Sequence, residues 1–175
     1  MANAQLELLD AERQALLAAV ERVPARDRDR RPAADRWSVA EILEHLATVE
    51  QGVAKLIATR GREALPDNAE PPVPLDEARV ARLRRRERRI DIPDRVRPSG
   101  TMTAAAAIQA LAASRTALVD AVKNADPIAL AQRSYVHAII GRIVLRDWIA
   151  FVAHHEARHA DQIREVASAL AGSED

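Results

Sequence analysis

Residues 145–171 place apolar side chains at steps of three and four, the spacing of the buried stripe of one long amphipathic helix. The stripe consists of Leu145, Trp148, Ile149, Val152, Ile163, Val166 and Leu170. His155 and His159 fill the gap in it, three residues after Val152 and four before Ile163. Because side chains four residues apart project from the same helix face, both imidazoles are predicted to point into the core.

Three further segments carry apolar residues with helical spacing. They run from about Ala4 to Val23, from Ser38 to about Arg60, and from Ala104 to Lys123. Ser38 and Glu41 form a predicted capping box at the start of the second segment, and Gly61 is placed to end it. Thr103 is the predicted N-cap of the third segment.

These four helices predict an all-α protein, a four-helix bundle with crossover connections. A short extra helix is predicted between residues 75 and 89, and a short extended piece between residues 136 and 144. Only five of the 175 residues are glycine, and no convincing run alternates apolar with β-branched residues. The chain is assigned to a single domain, residues 1–175.

The charge balance argues against nucleic-acid and membrane-surface partners. Lysine plus arginine and aspartate plus glutamate number 26 each, whereas such partners call for a basic excess. The basic cluster RLRRRERR at 82–89 lacks the interleaved aromatic residues that stack on bases, so it is interpreted as a solvated helix face. No secretory signal or long apolar run is evident, and a cytoplasmic location is expected.

His45 extends the pair of inward histidines to three. It lies three residues after Ile42 and four before Val49, on the core side of the second helix. Three buried imidazoles are costly unless something satisfies their nitrogens, and one divalent cation would do so. His45, His155 and His159 are therefore the predicted metal ligands, and three histidines leave a coordination position open, as in catalytic sites.

The absence of cysteine narrows the chemistry further. It excludes a disulfide framework, a thiolate zinc site and a protein thiol nucleophile. Imidazole ligands suit zinc, nickel and iron, among other metals. His154 lies about 100° around the helix from His155 and is predicted to point aside, and His137 lies in a connection outside the predicted ligand set.

The segment HEARH at 155–159 also matches the short zinc-peptidase pattern, in which a glutamate beside the first histidine is the general base. The longer form of that pattern fails at Gln162 and Glu165, and no sheet accompanies it. Glu156 remains a candidate catalytic base for water activated by a metal. The alternative is a glutamate on the helix surface that pairs with a neighbouring arginine.

Arg115 falls in the inner stripe of the third helix. A guanidinium there needs a carboxylate partner or a water-filled pocket. The alternative is an arginine at the stripe edge that extends its charged end to solvent.

Two segments, WSVAEILEHL at 37–46 and HEARHADQI at 155–163, resemble the two signature regions of the DinB-like superfamily. The resemblance covers nearly the whole chain. It implies a four-helix bundle, often a homodimer, with a divalent metal held at His45, His155 and His159. Characterised relatives include transferases and isomerases that use small bacterial thiols such as bacillithiol or mycothiol. The bulky aromatic residue common before the first histidine of the pair is His154 here.

The leading functional hypothesis is therefore a metal-dependent enzyme that transfers a low-molecular-weight thiol to an electrophilic small molecule. The cofactor would be zinc, nickel or iron, and the thiol would be a cosubstrate. One alternative is a metal-dependent hydrolase with Glu156 as general base. Another is a stress-associated metal-binding module without catalysis.

Overall fold

The computed structural model describes residues 2–63, 71, 73–86 and 92–172, with side chains from residue 4 onward. The described residues form six α-helices and one antiparallel hairpin. The helices are α1 (Ala2–Glu21), α2 (Val39–Arg60), α3 (Glu77–Arg84), α4 (Ala104–Lys123), α5 (Pro127–Gln132) and α6 (Asp147–Ala171). The strands are β1 (Ser134–His137) and β2 (Gly141–Val144), and single 3₁₀ turns lie at Ala25–Asp27 and Asp94–Val96.

The four long helices form the predicted bundle. Helix α2 packs along α4, α1 packs along α6, and α2 also contacts α6. The long connection from α2 to α4 carries α3, which packs on α6. The predicted short helix is thus present but ends at Arg84, and residues 87–89 of that prediction lie outside the described residues.

Local sequence signals explain where α2 begins and ends. The Ser38 hydroxyl accepts from the Glu41 backbone N–H at 3.2 Å, and the Glu41 carboxylate accepts from the Ser38 N–H at 2.9 Å, which confirms the capping box. Gly61 caps the C-terminus without left-handed geometry, at φ −71°. Glycine is required here because the backbone packs closely against Ala125. A Cβ at position 61 would lie 2.8 Å from the Cβ of Ala125.

The segment from 124 to 146 differs most from expectation. Helix α5 was not predicted, and the predicted extended piece is a full hairpin in which Ser134 pairs with Val144 and His137 with Gly141. Gly141 has φ +76°, a left-handed conformation that favours glycine at the turn. The hairpin places Ile143 in the core cluster that also holds Leu9 and Val152, and Val144 is buried as well.

The aliphatic core is divided into two clusters by a polar layer. Leu9, Val53, Leu118 and Val152 belong to one cluster, and Leu16, Leu46, Leu111 and Ile163 belong to the other. Between them along their helices lie the charged side chains Arg13, Glu50, Arg115 and Glu156, which we call the ion layer. Each bundle helix contributes one of these residues.

Contacts within the ion layer are short. The Arg13 guanidinium lies 2.6 Å from the Glu156 carboxylate and 2.8 Å from that of Glu50. Arg115 lies 2.7 Å from Glu50 and 3.0 Å from Glu156. Both carboxylates are only 1% exposed. Arg115 therefore has the carboxylate partners that one sequence hypothesis required, and the interpretation that it reaches to solvent is wrong.

Among the described helices, α4 is long and apolar enough by length and composition to cross a membrane. This is weak evidence, because an alanine-rich core helix of a bundle passes the same test. Here α4 packs along α2 and places Arg115 in the ion layer, so the bundle accounts for its apolar face.

Candidate metal centre

Three imidazoles converge where α2 and α6 meet. Nε2 of His155 lies 3.3 Å from Nε2 of His45 and 3.2 Å from Nε2 of His159. One ligand nitrogen from each histidine lies within 4.8 Å of the other two. The structure thus brings together the three residues predicted as metal ligands from two helices more than a hundred positions apart in sequence.

Hydrogen bonds orient two of the three rings. Nδ1–H of His45 donates to the carbonyl of Val96 at 2.7 Å, and Nδ1–H of His159 donates to Oε1 of Gln162 at 2.8 Å. A carbonyl oxygen only accepts, so the proton sits on Nδ1 and the Nε2 lone pair faces the centre. Arg86 donates to the same Gln162 oxygen at 3.3 Å, which fixes the orientation of that amide.

The donor set fits a divalent transition metal. Tetrahedral nitrogens at about 2.0–2.1 Å from zinc are separated from one another by about 3.3 Å, and the observed separations are 3.2 and 3.3 Å. With lone pairs on His45 and His159, one proton on His155 cannot satisfy three nitrogens, whereas one cation can. Neutral imidazole suits zinc, nickel and iron.

Burial keeps these imidazoles neutral. It lowers the pKa of His45, although the hydrogen bond to Val96 opposes the shift. It lowers the pKa of His155 and of His159 well below the usual value, and the charges of neighbouring histidines add to the effect. The neutral form is the one that a metal requires, so the lowered pKa values keep these imidazoles in that form near pH 7.

Aromatic side chains lie beside the three histidines. The ring of Phe151 stacks on His155 with centroids 5.4 Å apart, and Trp37 contacts His45 at 5.2 Å. The His137 ring also contacts Phe151, with centroids 4.4 Å apart, and His137 is not in the ligand group. His154 points aside as predicted, where its Nδ1 accepts from Arg84 of α3 at 3.3 Å.

A cavity of about 630 Å³ adjoins the three histidines. Its lining is strongly charged and includes Arg36, Arg86, Arg97, Arg158, Asp35 and Glu165. Sequence reasoning missed this lining, because most of it comes from the connections and from α6 residues next to the histidines. Arg158 alone had a usable signal, since it lies three residues after His155 and so on an adjacent face of the helix.

Glu156 does not line this cavity among the described residues. Its carboxylate accepts hydrogen bonds from Arg13 and Arg115 in the ion layer. Burial raises the pKa of this carboxyl, while the hydrogen bond from Arg13 lowers it. The sequence alternative that paired Glu156 with an arginine matches this placement, although the pair is buried and not on the surface.

Comparisons with known proteins place the chain in a family. The sequence model of the DinB superfamily matches residues 8–163. The uncharacterized protein YuaE of Bacillus subtilis (strain 168) is 26% identical over 142 residues, which span 79% of this chain and 82% of YuaE. The crystal structure of TT2238, a four-helix bundle protein, has a TM-score of 0.59 at 20% identity and covers 94% of this chain and 99% of its own. That structure shares the fold, and the long sequence match shows that the chain belongs to the DinB superfamily.

Proposed function

We propose that this protein is a metal-dependent enzyme that transfers a low-molecular-weight thiol to an electrophilic small molecule. His45, His155 and His159 would hold the metal. The observation that carries the proposal is the convergence of three Nε2 atoms on the wall of an open cavity, with two of the rings anchored through Nδ1.

A divalent metal bound there (zinc, nickel or iron) would lower the pKa of a thiol and so supply a thiolate at neutral pH. The chain has no cysteine, so the nucleophilic sulfur must come from a cosubstrate. In the transfer, sulfur forms a bond to the electrophilic carbon, the leaving group departs with its bonding electrons, and the thiol proton passes to solvent.

The protein itself would hold the metal-binding rings in position and enclose the small molecules in its cavity. Val96 and Gln162 hold the imidazole rings of His45 and His159 in one orientation. These rings would therefore lose little conformational freedom when a metal binds. A cavity of about 630 Å³ falls within the range of small-molecule sites. Phe151 and Trp37 provide apolar and aromatic surface beside the histidines.

Metal content and turnover, measured together, test the proposal. We expect about one equivalent of one transition metal by elemental analysis of untagged protein purified without chelator. We also expect thiol-dependent consumption of 1-chloro-2,4-dinitrobenzene or a related electrophile, tested with several bacterial thiols. The double variant His45→Ala/His159→Ala should lose both while it keeps its helical circular dichroism.

The matched control is His154→Ala, because His154 neighbours the ligands on α6 but points toward Arg84. This variant should keep the metal and the turnover. Metal-loaded wild type without thiol-dependent turnover across the panel would overturn the transferase proposal. A tightly bound metal with no exchangeable position would then favour the non-catalytic module.

Hydrolysis with Glu156 as general base gains no support from the geometry. The Glu156 carboxylate binds Arg13 and Arg115, and the cavity lining among the described residues does not include it. We therefore propose that Glu156 has a structural role in the ion layer.

A further inference from the structure

Arg158 is a buried cation in the wall of the histidine cavity. It precedes His159 on α6, it is only 9% exposed, and it lines the cavity together with His155 and His159. Its charge is near enough to both imidazoles to lower their pKa values. A guanidinium buried to this degree normally has a carboxylate partner, because burial of an unpaired charge is costly.

No carboxylate lies within ion-pair distance of Arg158 in the described part of the chain. Its one hydrogen bond there runs from Nη1 to the carbonyl of Leu83, at a long 3.4 Å. A guanidinium has five N–H donors, so four of them have no acceptor among the described residues, and none of its nitrogens is buried without a partner. The alternative explanation is that Arg158 has a structural role and binds a free carbonyl, that of Leu83, in the last turn of α3.

The other arginines of the lining differ from Arg158 in this respect. Arg86 binds both carboxylate oxygens of Glu165 at 2.8 Å. Arg36 reaches the same carboxylate at 3.5 Å, and Arg97 lies 3.3 Å from Asp94. Their charges are paired with protein carboxylates within ion-pair distance, whereas among the described residues Glu165 acts on Arg158 only from farther away.

The lining as a whole favours an anion. Its four arginines and two carboxylates, Asp35 and Glu165, leave a net charge of +2 when the histidines are neutral. The planar fork of a guanidinium matches a carboxylate through two parallel hydrogen bonds, which is the strongest pairing open to it. A carboxylate on Arg158 would neutralise the buried charge and place the rest of its molecule beside the three histidines.

We infer that Arg158 binds a carboxylate of the small molecule that enters this cavity, and that the site therefore selects anionic ligands. The inference deepens the proposed function and rests on it for the chemistry at the histidines. The carboxylate can belong to the thiol or to the electrophile, and the binding chemistry at Arg158 is the same in both cases.

Calorimetric titration of the metal-loaded full-length protein tests this. The probes are 3-mercaptopropionate, its amide and propionate, at one ionic strength because salt screens such contacts. Wild type should bind 3-mercaptopropionate about 10- to 100-fold more tightly than the amide, the range of a charge-assisted hydrogen-bonded pair. In Arg158→Gln this ratio should fall toward one, and Arg158→Lys should restore part of it.

Arg164→Gln is the matched control, since Arg164 lies on the same helix but pairs with Asp161 away from the cavity. It should keep the wild-type ratio. Equal binding of acid and amide by wild type, no binding of either carboxylate probe, or an unchanged ratio in Arg158→Gln would each overturn the inference. If Arg158→Gln does not fold, the wild-type and Arg158→Lys comparisons still decide.

Two further comparisons separate this inference from the proposed function and identify the source of the carboxylate. Equal binding of propionate and 3-mercaptopropionate would count against a thiol site while it leaves Arg158 as an anion site. Tighter binding of 3-mercaptopropionate than of propionate in the presence of ethanethiol assigns the carboxylate to the thiol. Equal affinity in that comparison assigns it to the electrophile.

Discussion

Nδ1–H of His159 donates to the side-chain oxygen of Gln162, one turn further along α6. This contact gives a role to a residue that the sequence left open, and Val96 provides the corresponding acceptor for His45. The histidines themselves were predictable because they complete a helical stripe. Their acceptors were less so, because the Val96 contact joins residues 51 positions apart through a backbone carbonyl, which no side-chain pattern reveals.

Gln162→Ala should weaken metal binding without abolishing it. Removal of the acceptor leaves the His159 ring free to rotate and to carry its proton on Nε2, and such changes cost about 10- to 100-fold in metal affinity. Competition with a chromogenic chelator measures the affinity. Gln109→Ala, at an exposed position of α4, should bind metal as wild type does, and equal affinities for all three proteins would contradict the role of Gln162.

His137 should make stability depend on pH. Burial lowers its pKa to about 4 in the folded protein, against about 6.5 in an unfolded chain. Between these values the unfolded chain binds more protons, so the free energy of unfolding is highest above pH 6.5 and falls as the pH falls toward 4. For this partly exposed side chain, the loss from pH 7 to pH 5 is about 1 kcal/mol.

Urea denaturation of metal-free wild type and His137→Asn at both pH values checks this. In wild type the Ile139 N–H donates to Nδ1 of His137 at 3.1 Å. Asparagine keeps an acceptor for this N–H, but it does not titrate. The fall in stability between pH 7 and pH 5 should be smaller in the variant by about 1 kcal/mol. An identical fall in both proteins would mean that His137 titrates normally.

The ion layer joins all four bundle helices through one buried set of charges. Its residues lie at matching depths between the apolar residues of the four helices, and Arg13 lies between Leu9 and Leu16 of α1 in this way. A sequence shows each of these charged residues separately but not that they meet. It could therefore predict that Arg115 needs a carboxylate partner, but not which carboxylates. The start of α4 was predictable because Thr103 caps it, and α5 was missed because six residues carry too little periodicity.

Glu156→Gln distinguishes a structural role from a catalytic one. Loss of one carboxylate leaves the buried charges of Arg13 and Arg115 undercompensated, which costs about 3 kcal/mol of the free energy of unfolding. Metal stoichiometry should be unchanged, and thiol-dependent kcat/KM should stay within about twofold of wild type. A twofold change corresponds to less than about 0.5 kcal/mol of transition-state stabilisation. Urea denaturation, elemental analysis and the transferase assay provide the three measurements.

Arg164→Gln removes an exposed ion pair on the same helix and should cost less than about 1 kcal/mol. The structural assignment fails if Glu156→Gln keeps its stability but loses turnover. That pattern would return the general-base hypothesis for Glu156.

At the scale of the whole molecule, the three histidines lie where the two helix pairs of the bundle meet. Helix α2 packs mainly on α4 and α6 mainly on α1, and contacts between α2 and α6 join the pairs. His45 comes from one pair, and His155 and His159 from the other. A cation that binds all three would therefore link the two halves, which makes metal binding and folding interdependent.

Metal should stabilise the folded protein by mass action, because the three nitrogens converge only when α2 and α6 are packed. At a free zinc concentration 100-fold above the dissociation constant, the gain is about 2.7 kcal/mol in the free energy of unfolding. Thermal and urea denaturation with and without zinc measure it in wild type and in His45→Ala. The variant should show little gain, although its α2 still carries the capping box at Ser38 and Glu41.

Hydrogen exchange locates the effect. Added zinc should slow exchange most in α2 around His45 and in α6 around His155 and His159, with smaller changes in the α5 and hairpin region, which contributes no ligand. His154→Ala should respond to zinc as wild type does, since its ring faces Arg84. A stability gain of equal size in His45→Ala would place the bound metal elsewhere on the protein and would remove the link between the two helix pairs.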